Sequence, residues 1–486
     1  MMFGEDPVIP LPGPDLQFNL VSGSIEILHE AGPADFSPMG LRCEAEGVDA
    51  TQQQRTKMEK QSRIAVIGSG IAGLSAAWLL SRRHAVTLFE AAGYLGGHTN
   101  TIDVTLDGVT APVDTGFLVF NDRTYPQLVR MLDYLGLAST DSDMSFSVRV
   151  DDEQLEWAGS SLAAVFAQKR NLVKPRFWAM LKDILRFNGE GRRIVAAGSG
   201  YEGTLGEFLQ RGGYSRMFRD WYLLPMSGAI WSCPTKQMLE YPADTFFRFC
   251  HNHGLLQLTG RPRWKTVAGG GREYVRRLAA DIADIRMNSP VESVVRHADG
   301  AQVRFGAGRK EDYSEVVFAC HSDQTLKLLA DAVDAEKNLL SRINYQTNHA
   351  VLHTDTSLLP RSRDAWAAWN YLTGSGDPDA RPVSVSYYLN MLQHLSFEKP
   401  VIVTLNPARP PRPDLVLEHF EYAHPIFDRG AIESQRELPA IQGKRHTWYC
   451  GAWTGYGFHE DGLRSGIAVA NALGVSAPWQ TQEMAA

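Results

Sequence analysis

The fold is decided by residues 63–98, which read RIAVIGSGIAGLSAAWLLSRRHAVTLFEAAGYLGGH. Residues 64–67 form an apolar run that is typical of a buried parallel strand. A glycine-rich turn follows, and apolar residues then recur at helical spacing as far as Trp78. Residues 86–89 predict a second strand, which ends at Glu90. The stretch therefore predicts a strand, a turn, a helix and a second strand, which is the repeating unit of an α/β fold.

The three glycines of the turn have separate roles in binding a dinucleotide. The first permits the tight turn, the second lets a pyrophosphate approach the backbone, and the third lets the helix pack closely on the strand. The helix N-terminus adds N–H donors, and Glu90 lies where an acid would bind a ribose with a free 2′-hydroxyl. The predicted phosphate-binding residues are Gly68, Ser69, Gly70, Ile71, Ala72 and Gly73. An ordinary glycine turn would explain the glycines but not the strand, helix and acid around them.

The composition bounds the class of protein. A chain of 486 residues is long enough for two or three connected domains. A net charge of −7 gives no general attraction to nucleic acid, so no nucleic-acid partner is expected. The five cysteines are scattered without a CxxC pair and the histidines are scattered as well, so we predict neither a disulfide framework nor a metal site. No apolar run approaches the ~18 residues of a membrane-spanning helix, and the start lacks signal-peptide features, so the expected location is cytoplasmic.

Residues 1–62 differ from the rest of the chain. Prolines and glycines punctuate them, and a polar tract at residues 51–55 lies near their end. We therefore expect a mostly disordered N-terminal extension. Met58 lies just before the first predicted strand, which makes it a candidate start of translation. A chain that begins at Met58 should then fold and bind its cofactor normally.

After Glu90 the chain carries a second glycine motif. Gly96 and Gly97 match the pattern E-x-x-x-R-x-G-G-R, while Tyr94 and His98 replace its two arginines. With this motif the chain resembles the flavin-containing amine oxidase and phytoene desaturase superfamily, and within it a bacterial subgroup of predicted FAD-binding oxidoreductases often encoded beside cyclopropane-fatty-acyl synthases. The resemblance runs from about residue 63 to the C-terminus and implies FAD as the cofactor. It makes both glycines and His98 candidate contacts of FAD.

The resemblance also implies cofactor contacts in the middle of the chain. Residues 111–120 resemble the strand and turn that run under the flavin, where Gly116 and Phe117 are the candidate contacts. Val291 matches a valine that contacts the adenine through its backbone. A later segment with glycines at 269–271 resembles the return of the chain to the cofactor domain. Because no buried strand is expected to lead into those glycines, we predict no second dinucleotide site there.

A third glycine-rich motif lies near the C-terminus, at residues 449–466, and reads YCGAWTGYGFHEDGLRSG. It resembles the superfamily's C-terminal flavin motif, although Ala452 replaces the acid of that motif. The N–H groups of Gly462 and Leu463, at a helix N-terminus, would stabilise negative charge on the pyrimidine edge of a reduced flavin. The cofactor contacts implied here are Gly451, Glu460, Gly462 and Leu463. The alternative is a glycine-rich loop before an amphipathic helix.

No pairing of a nucleophile with a base forces a catalytic assignment. Phe458 falls where amine oxidases of the superfamily place an aromatic residue facing the flavin, which makes it a candidate for substrate stacking. His459 is the candidate for proton handling, and Tyr422 is the candidate for shaping the pocket. A structural or cofactor-positioning role is the alternative for each of them.

The predicted fold is α/β, with a Rossmann-like (GR2-type) FAD-binding domain and an inserted α+β substrate domain. The FAD-binding domain is expected to comprise residues 63–125, 263–335 and 441–486. The substrate domain is expected to comprise residues 126–262, which are mostly helical, and residues 336–440.

Residues 169–187 predict a basic amphipathic helix. Its apolar stripe consists of Phe177, Met180, Leu181, Ile184 and Leu185. Basic residues surround this stripe, and only Asp183 opposes them. Such a helix can lie in a bilayer interface, which would add peripheral contact with the inner face of the membrane. The alternative is a helix that faces the core and has a solvated polar side.

The predicted function is that of an FAD-dependent oxidoreductase that takes a hydride from a C–H bond onto flavin N5. The apolar, aromatic insert and the lipid-modifying neighbours of the subgroup favour a hydrophobic small molecule or a phospholipid acyl chain as the substrate. An amine oxidase that forms aldehyde and hydrogen peroxide is an alternative. It is disfavoured because amine oxidases of the superfamily carry a lysine where His349 or Ala350 stands here. An FAD-binding redox protein without turnover is the third interpretation.

Overall fold

The computed structural model describes residues 62–198, 200–231, 235–257, 259–373 and 383–483. The expected extension, apart from Ser62, and the candidate start at Met58 lie outside the described residues. The strands are β1 Arg63–Ile67, β2 Ala85–Phe89, β3 Thr101–Leu106, β4 Val109–Asp114, β5 Phe120–Asn121, β6 Ser139–Ser142, β7 Phe146–Val150, β8 Leu155–Ala158, β9 Trp264–Val267, β10 Asp284–Arg286, β11 Val291–His297, β12 Gly300–Phe305, β13 Arg309–Tyr313, β14 Glu315–Phe318, β15 Asn344–His353, β16 Trp369–Thr373, β17 Ser384–Tyr388, β18 Ile402–Leu405, β19 Val416–Ile426 and β20 Thr447–Tyr449. The α-helices are α1 Ile71–Leu80, α2 Pro126–Tyr134, α3 Leu162–Val165, α4 Pro175–Ala197, α5 Leu205–Arg211, α6 Arg216–Phe218, α7 Leu224–Trp231, α8 Thr235–Leu239, α9 Ala243–Asn252, α10 Arg272–Ala280, α11 Ser322–Leu328, α12 Asp334–Leu340, α13 Leu389–Leu392, α14 Arg429–Glu437, α15 His459–Ala472 and α16 Pro478–Glu483.

The opening motif forms the middle of a parallel sheet. The strand order is β10–β2–β1–β14–β20, and every neighbouring pair is parallel. Ile64, Ala65 and Val66 are fully buried, because strands flank β1 on both sides and α1 packs on it. The order of the strands reverses between β1 and β14, and the carboxyl ends at such a switch point form a crevice for ligands. The predicted α/β fold with a Rossmann-like sheet is confirmed.

The strands of this sheet come from three separate stretches of chain. β1 and β2 come first, β10 and β14 follow nearly two hundred residues later, and β20 lies near the C-terminus. A second, mixed sheet has the order β19–β15–β18–β17–β16–β7–β8 and is built from stretches that lie between them. The domain boundaries expected after residues 125, 262, 335 and 440 stay a prediction.

Two strands of the mixed sheet, β7 and β8, lie where the sequence shows only helices and loops. All four residues of β8 are buried, and so are the last four of β7. The strand period was present in β7, because residues 146–150 read FSVRV and alternate apolar with polar side chains. The polar Ser147 and Arg149 are buried because they form hydrogen bonds inside the protein. The described residues that follow, as far as Asn252, are mainly helical.

A strand also precedes the glycines at 269–271, where we expected none. β9 ends at Val267, and both Thr266 and Val267 are buried. β9 pairs antiparallel with β5 and β6, so it lies outside the parallel sheet. The expectation that no buried strand leads into these glycines was wrong. The antiparallel pairing nevertheless differs from the parallel strand of a dinucleotide fingerprint.

Helix α4 buries a slightly different stripe from the one predicted. Phe177, Met180, Ile184 and Phe187 are buried, whereas Leu181 is half-buried and Leu185 is exposed. Phe187 therefore takes the place that the sequence pattern gave to Leu185. This helix has 23 residues. Neither it nor any other helix in the described ranges combines the length and apolar content needed to cross a membrane.

Candidate active site

The first glycine motif forms a backbone cradle at the carboxyl end of β1. Gly68 has a φ of +100°, and its N–H donates to the carbonyl of Phe89 at 2.8 Å. A Cβ on Gly73 would lie 1.9 Å from the carbonyl oxygen of Gly68, so this glycine allows α1 to pack against the turn. A Cβ on Gly70 would meet no atom of the described residues within 4 Å. Gly70 therefore leaves open the space in which the fingerprint places a pyrophosphate.

Glu90 closes one side of this turn. One of its carboxylate oxygens accepts hydrogen bonds from the N–H and the hydroxyl of Ser69, at 2.9 and 2.6 Å. The other accepts from the N–H of Ala92 at 2.8 Å. These bonds hold the carboxylate at the end of β2, where a ribose-binding acid is expected. Ile71 and Ala72 are buried in the first turn of α1, so they fix the position of the helix N-terminus.

The second glycine motif contacts the first. Gly96 donates its N–H to the carbonyl of Ser69 at 3.1 Å. Gly97 has a φ of +58°, and a Cβ on it would lie 3.2 Å from the Cα of Gly70. The two motifs thus form adjoining walls of one crevice.

His98 faces a group of rings beside this crevice. Its ring centroid lies 5.1 Å from that of Tyr422, 5.2 Å from that of His424 and 6.3 Å from that of His321. His321 follows the carboxyl end of β14, at the switch point of the parallel sheet. The Nε2 atom of His98 is buried and has no hydrogen-bond partner among the described residues. Because such an atom is costly when it stays unpaired, it marks a place where a bound polar group would be stabilised.

The surroundings keep these histidines neutral. Burial, and then the nearby imidazoles of His424 and His321, hold the pKa of His98 well below its ordinary value. Burial lowers the pKa of His424 to about 4 and also lowers that of His321. A charged imidazole is disfavoured in a desolvated site beside other imidazoles. The chain thus has a neutral ring where the superfamily motif has the fixed charge of an arginine.

Tyr422 packs behind the turn that carries Gly116 and Phe117. Its hydroxyl forms a hydrogen bond with Thr115 Oγ1 at 2.7 Å. The N–H of Phe117 donates to the carbonyl of His98 at 2.8 Å. A Cβ on Gly116 would lie 2.2 Å from that same oxygen. Gly116 is therefore required for the close approach of the two turns, and Tyr422 supports the turn.

The C-terminal motif packs α15 onto α1. A Cβ on Gly462 would lie 2.8 Å from Cγ2 of Ile71, and one on Gly466 would lie 2.4 Å from the carbonyl oxygen of Ala72. Gly451 follows β20 and donates its N–H to Ser465 Oγ at 2.9 Å. The first and the last glycine motifs of the chain therefore meet at one site.

Other predicted contacts in this motif already have partners within the protein. The N–H of Gly462 donates to the carbonyl of Phe458 at 3.1 Å, so donation to a cofactor would compete with a helix hydrogen bond. The carboxylate of Glu460 accepts from the N–H groups of residues 127–128, at 2.9 and 3.0 Å, and thus caps α2. The side chain of Leu463 is fully buried. The cofactor contacts of Gly462, Glu460 and Leu463 stay predictions.

His459 stacks on Phe117. The ring centroids lie 3.8 Å apart and the planes are inclined by 10°. Nε2 of His459 forms hydrogen bonds with the hydroxyls of Tyr274 and Thr99, at 2.6 and 3.3 Å. Burial lowers the pKa of His459 to about 3, so the ring is neutral near pH 7 and is a weak base. This geometry favours a positioning role over the proton handling predicted from sequence.

Phe458 belongs to an aromatic wall contributed largely by the inserted helices. Its ring stacks on Phe249 of α9 at 5.3 Å between centroids, and His253 lies 5.6 Å away. Phe249 in turn lies 4.5 Å from Trp231. Burial lowers the pKa of His253 to about 4, so this ring is also uncharged near pH 7. An uncharged aromatic cluster, buried except for the half-buried Phe458 and His253, therefore lies next to the residue that stacks on Phe117.

A groove of about 260 Å³ lies beside this wall. Its lining includes Trp231, Met238, Pro425 and Phe427, with Glu240 and Asp428 as the charged members. A Cβ on Gly457 would lie 2.8 Å from the ring of Phe427, so the residue before Phe458 packs against a residue that lines the groove. The carboxylate of Asp428 caps α14 by accepting from the N–H of Ala431 at 2.9 Å.

The fold brings several residues to the site that were not predicted from the sequence. They are Thr99, Asp114, Phe249, Tyr274, His321 and His424. Asp114 accepts hydrogen bonds from Gly271 N–H at 3.0 Å and from the Gln393 amide at 2.6 Å, and burial raises its pKa to about 6. A buried acid inside the segment 111–120 was a usable signal for Asp114. The end of a predicted parallel strand was the corresponding signal for His321.

Two other sequence predictions concern residues of β11 and β15. Val291 begins β11 and pairs with Phe305, and its contact with an adenine stays a prediction. His349 is exposed and lies 3.3 Å from Glu421, whereas Ala350 is buried. β15 therefore presents no lysine at either of the two positions considered.

These features fit FAD. The open space at Gly70, the adjoining Gly97 and the unpartnered Nε2 of His98 surround a crevice at the ligand-binding edge of the sheet. Gly68–Gly73, Glu90 and the C-terminal motif would hold the cofactor there. When bound, FAD supplies the acceptor for a hydride, and the protein positions the substrate against it.

Comparison with known proteins agrees with this site. Residues 71–388 match the family described as flavin containing amine oxidoreductase. Carotenoid phi-ring synthase of Streptomyces griseus is 38% identical over 107 residues, which are 22% of this chain and 19% of the synthase. The match thus spans about a fifth of the length of that relative.

Solved structures show the same fold at low identity. A fatty acid isomerase from P. acnes, described as CLA-producing, superimposes with a TM-score of 0.61 and 16% identity over 85% of this chain and 99% of its own. Putrescine oxidase bound to putrescine has a TM-score of 0.60 and 17% identity over 85% of this chain and 99% of its own. The family match covers more than half of the chain and confirms the predicted family, its enzymatic class and its cofactor. The chain belongs to the flavin containing amine oxidoreductase family and is an FAD-dependent oxidoreductase.

Proposed function

We propose that this oxidoreductase dehydrogenates a hydrophobic substrate, and that the substrate is the fatty acyl chain of a lipid. The observation that carries the proposal is the uncharged aromatic wall of Phe458, Phe249 and Trp231 beside the stacked His459 and Phe117. Such rings bind by burying apolar surface, at about 25 cal/mol per Å². They offer no ion to pair with a charged substrate.

Dehydrogenation would break two C–H bonds on neighbouring carbons and leave a C=C bond between them. One hydrogen would leave as a hydride that bound FAD accepts, and the other as a proton that is released to solvent. The protein would have to place an unactivated C–H bond against the cofactor and to exclude water, and the apolar rings of the aromatic wall would serve both purposes. A phospholipid acyl chain resides in a membrane, so we propose that the protein takes it up at the inner face of the membrane.

The names of similar proteins support the substrate class only loosely. One is a carotenoid phi-ring synthase and another is a fatty acid isomerase, and both names refer to hydrophobic molecules. Neither likeness carries a substrate over to this chain, because the first covers a short stretch and the second shows the fold alone.

Flavin reduction under anaerobic conditions tests the proposal. The purified protein is mixed with vesicles of phosphatidylglycerol that carry monounsaturated or cyclopropane-modified acyl chains. We expect the visible absorption of oxidised flavin to fall and mass spectrometry to find an acyl chain lighter by one H₂. The variant Phe458→Ala should slow the reduction, while Tyr388→Ala, which changes an aromatic residue that packs on Trp366, should not. Unchanged flavin absorption together with unchanged lipid would count against an acyl substrate.

Amine oxidation is the second candidate, and one feature of the groove favours it. Glu240 and Asp428 give the groove two acidic residues, which would attract a cationic amine. The fold likeness to putrescine oxidase agrees with this possibility, whereas His349 and Ala350 in place of a lysine weigh against it. In this case putrescine should yield hydrogen peroxide, and Glu240→Gln should raise KM more than it lowers kcat. Without peroxide from putrescine or other aliphatic amines, this candidate fails.

A further inference from the structure

Exposed apolar side chains cluster on one part of the inserted segment. Of the twelve large apolar side chains that are exposed in the described part of the chain, five lie between residues 162 and 185. They are Leu162, Leu172, Val173, Trp178 and Leu185, with exposed fractions from 49% to 81%. Single exposed apolar residues are ordinary, but a contiguous group marks a surface that binds something.

Helix α4 carries much of this group on the side opposite its buried stripe. Trp178, Lys182 and Leu185 are spaced by four and three residues, so they lie along one face of the helix. The indole N–H of Trp178 donates to the carbonyl of Leu172 at 2.9 Å. This bond joins the turn before the helix to the exposed face, so that both present their apolar side chains together.

Basic side chains surround these apolar ones. They are Lys169, Arg170, Lys174, Arg176 and Lys182. The only acid between residues 162 and 185 is Asp183, which is buried, accepts from the N–H of Ser215 at 2.8 Å and pairs with Arg186 at 3.2 Å. None of the four residues Lys169, Lys174, Arg176 and Lys182 forms an ion pair with an acidic side chain of the described ranges. We call these apolar and basic residues of the 162–185 stretch, which are exposed except for the half-buried Lys174, the basic apolar face.

We propose that the basic apolar face binds the surface of a bilayer that contains anionic phospholipids. Trp178, Val173 and Leu185 would enter the boundary between headgroups and acyl chains, where an amphipathic ring such as tryptophan is favoured. The lysine and arginine side chains would lie against the lipid phosphates, to which they are attracted at short range. The surface is separable from the proposed chemistry, because vesicle binding needs no turnover.

Vesicle co-sedimentation of the full-length, FAD-loaded protein tests this proposal. We expect binding to vesicles of phosphatidylglycerol and phosphatidylcholine, at least tenfold weaker binding to phosphatidylcholine alone, and weaker binding as salt rises. The double variant Lys174→Glu/Lys182→Glu should lose at least tenfold in affinity. The double variant Val173→Ser/Leu185→Ser should lose a similar factor, because the apolar contacts contribute separately from the charge.

The matched control reverses two charges elsewhere. Lys310 and Lys444 are exposed and lie outside the 162–185 stretch, so Lys310→Glu/Lys444→Glu changes the net charge by the same amount. This control should bind anionic vesicles like the unchanged protein. Equal loss in the control would overturn the proposal, because it would show only general attraction between charges. Absence of binding to anionic vesicles would overturn it as well. So would a result in which the double variants of the basic apolar face change the oligomeric state, measured by light scattering, and leave vesicle binding unchanged.

Discussion

The imidazole of His459 lies flat on the phenyl ring of Phe117, at 3.8 Å between the centroids, while the hydroxyl of Tyr274 holds its Nε2 atom at 2.6 Å. One ring comes from the turn after β4 and the other from the N-terminus of α15. The contact therefore joins the turn within residues 111–120 to the C-terminal motif at residues 449–466. It also uses one nitrogen of the imidazole for structure, and burial leaves that ring a weak base.

We expect His459→Phe to lower the rate of flavin reduction by less than about tenfold. A phenyl ring preserves the stack on Phe117, and loss of a true general base costs about 10²–10⁴-fold. The check is the pH profile of kcat/KM with the donor that reduces the flavin. Tyr274→Phe, which keeps the imidazole but removes its partner hydroxyl, is the companion variant. A loss beyond about a hundredfold with disappearance of a pH-dependent limb would show that His459 carries a proton.

Two glycines of the first motif should respond in opposite ways to an added methyl group. Gly70→Ala should leave folding intact, because its Cβ would meet no protein atom within 4 Å. It should abolish FAD binding, because the same Cβ would fill the space in which the fingerprint places the pyrophosphate. Gly73→Ala should destabilise the protein itself, because its Cβ would lie 1.9 Å from a backbone oxygen. Thermal unfolding of the FAD-free proteins and titration with FAD separate the two effects. Tight FAD binding by Gly70→Ala would place the pyrophosphate elsewhere.

Glu460 should matter for stability through its cap on α2. Glu460→Ala removes the acceptor for two backbone N–H groups, and we expect a loss of about 1–3 kcal/mol in the free energy of unfolding. Glu460→Gln keeps an acceptor oxygen and should lose less. Urea unfolding monitored by circular dichroism provides the measurement. Equal stability of Glu460→Ala and the unchanged protein would show that water replaces the cap at no cost.

Acidification should destabilise the fold through the histidines around the cofactor crevice. The pKa values of His98, His321 and His424 are lowered from about 6.5, and that of His424 lies at about 4. Between these pKa values the unfolded chain binds more protons than the folded chain. The contribution of these histidines to the free energy of unfolding is therefore complete at neutral pH and falls as the pH drops from about 6.5 toward about 4. Asp114 has the opposite effect, because burial raises its pKa to about 6.

The variant His424→Phe isolates the contribution of one histidine. Its free energy of unfolding should fall less steeply over that pH range than the free energy of the unchanged protein. His349→Gln is the control, because His349 is exposed and lies outside the group of histidines around the crevice. If the free energy of unfolding fell equally steeply with pH in the unchanged protein and in both variants, His424 would be charged or solvated in the folded state.

The glycine motifs could be predicted from sequence because their geometry is local. Only a glycine tolerates the turn at Gly68 or the close contact at Gly73, so residue type and spacing together identify the cradle. His424 and Phe249 could not be predicted in the same way. They reach the site through the pairing of β15 with β19 and through the packing of α9, which are long-range contacts. Phe420 and Tyr422 alternate with Glu421 along β19 and place His424 on the same face. Which strand and which site that face meets is set by the long-range pairing with β15, which no local pattern shows.

The parallel sheet has a consequence for synthesis of the protein. Its central strand pairs with β14 on one side, and β14 pairs in turn with β20, which lies within the last forty residues of the chain. During translation the opening motif therefore emerges long before the strand and helix that complete its crevice. Loop closure over such a separation is slow and leaves apolar strand edges uncovered in the meantime. FAD loading is thus a late event, and a nascent chain that stops short of α15 would emerge without a finished cofactor site.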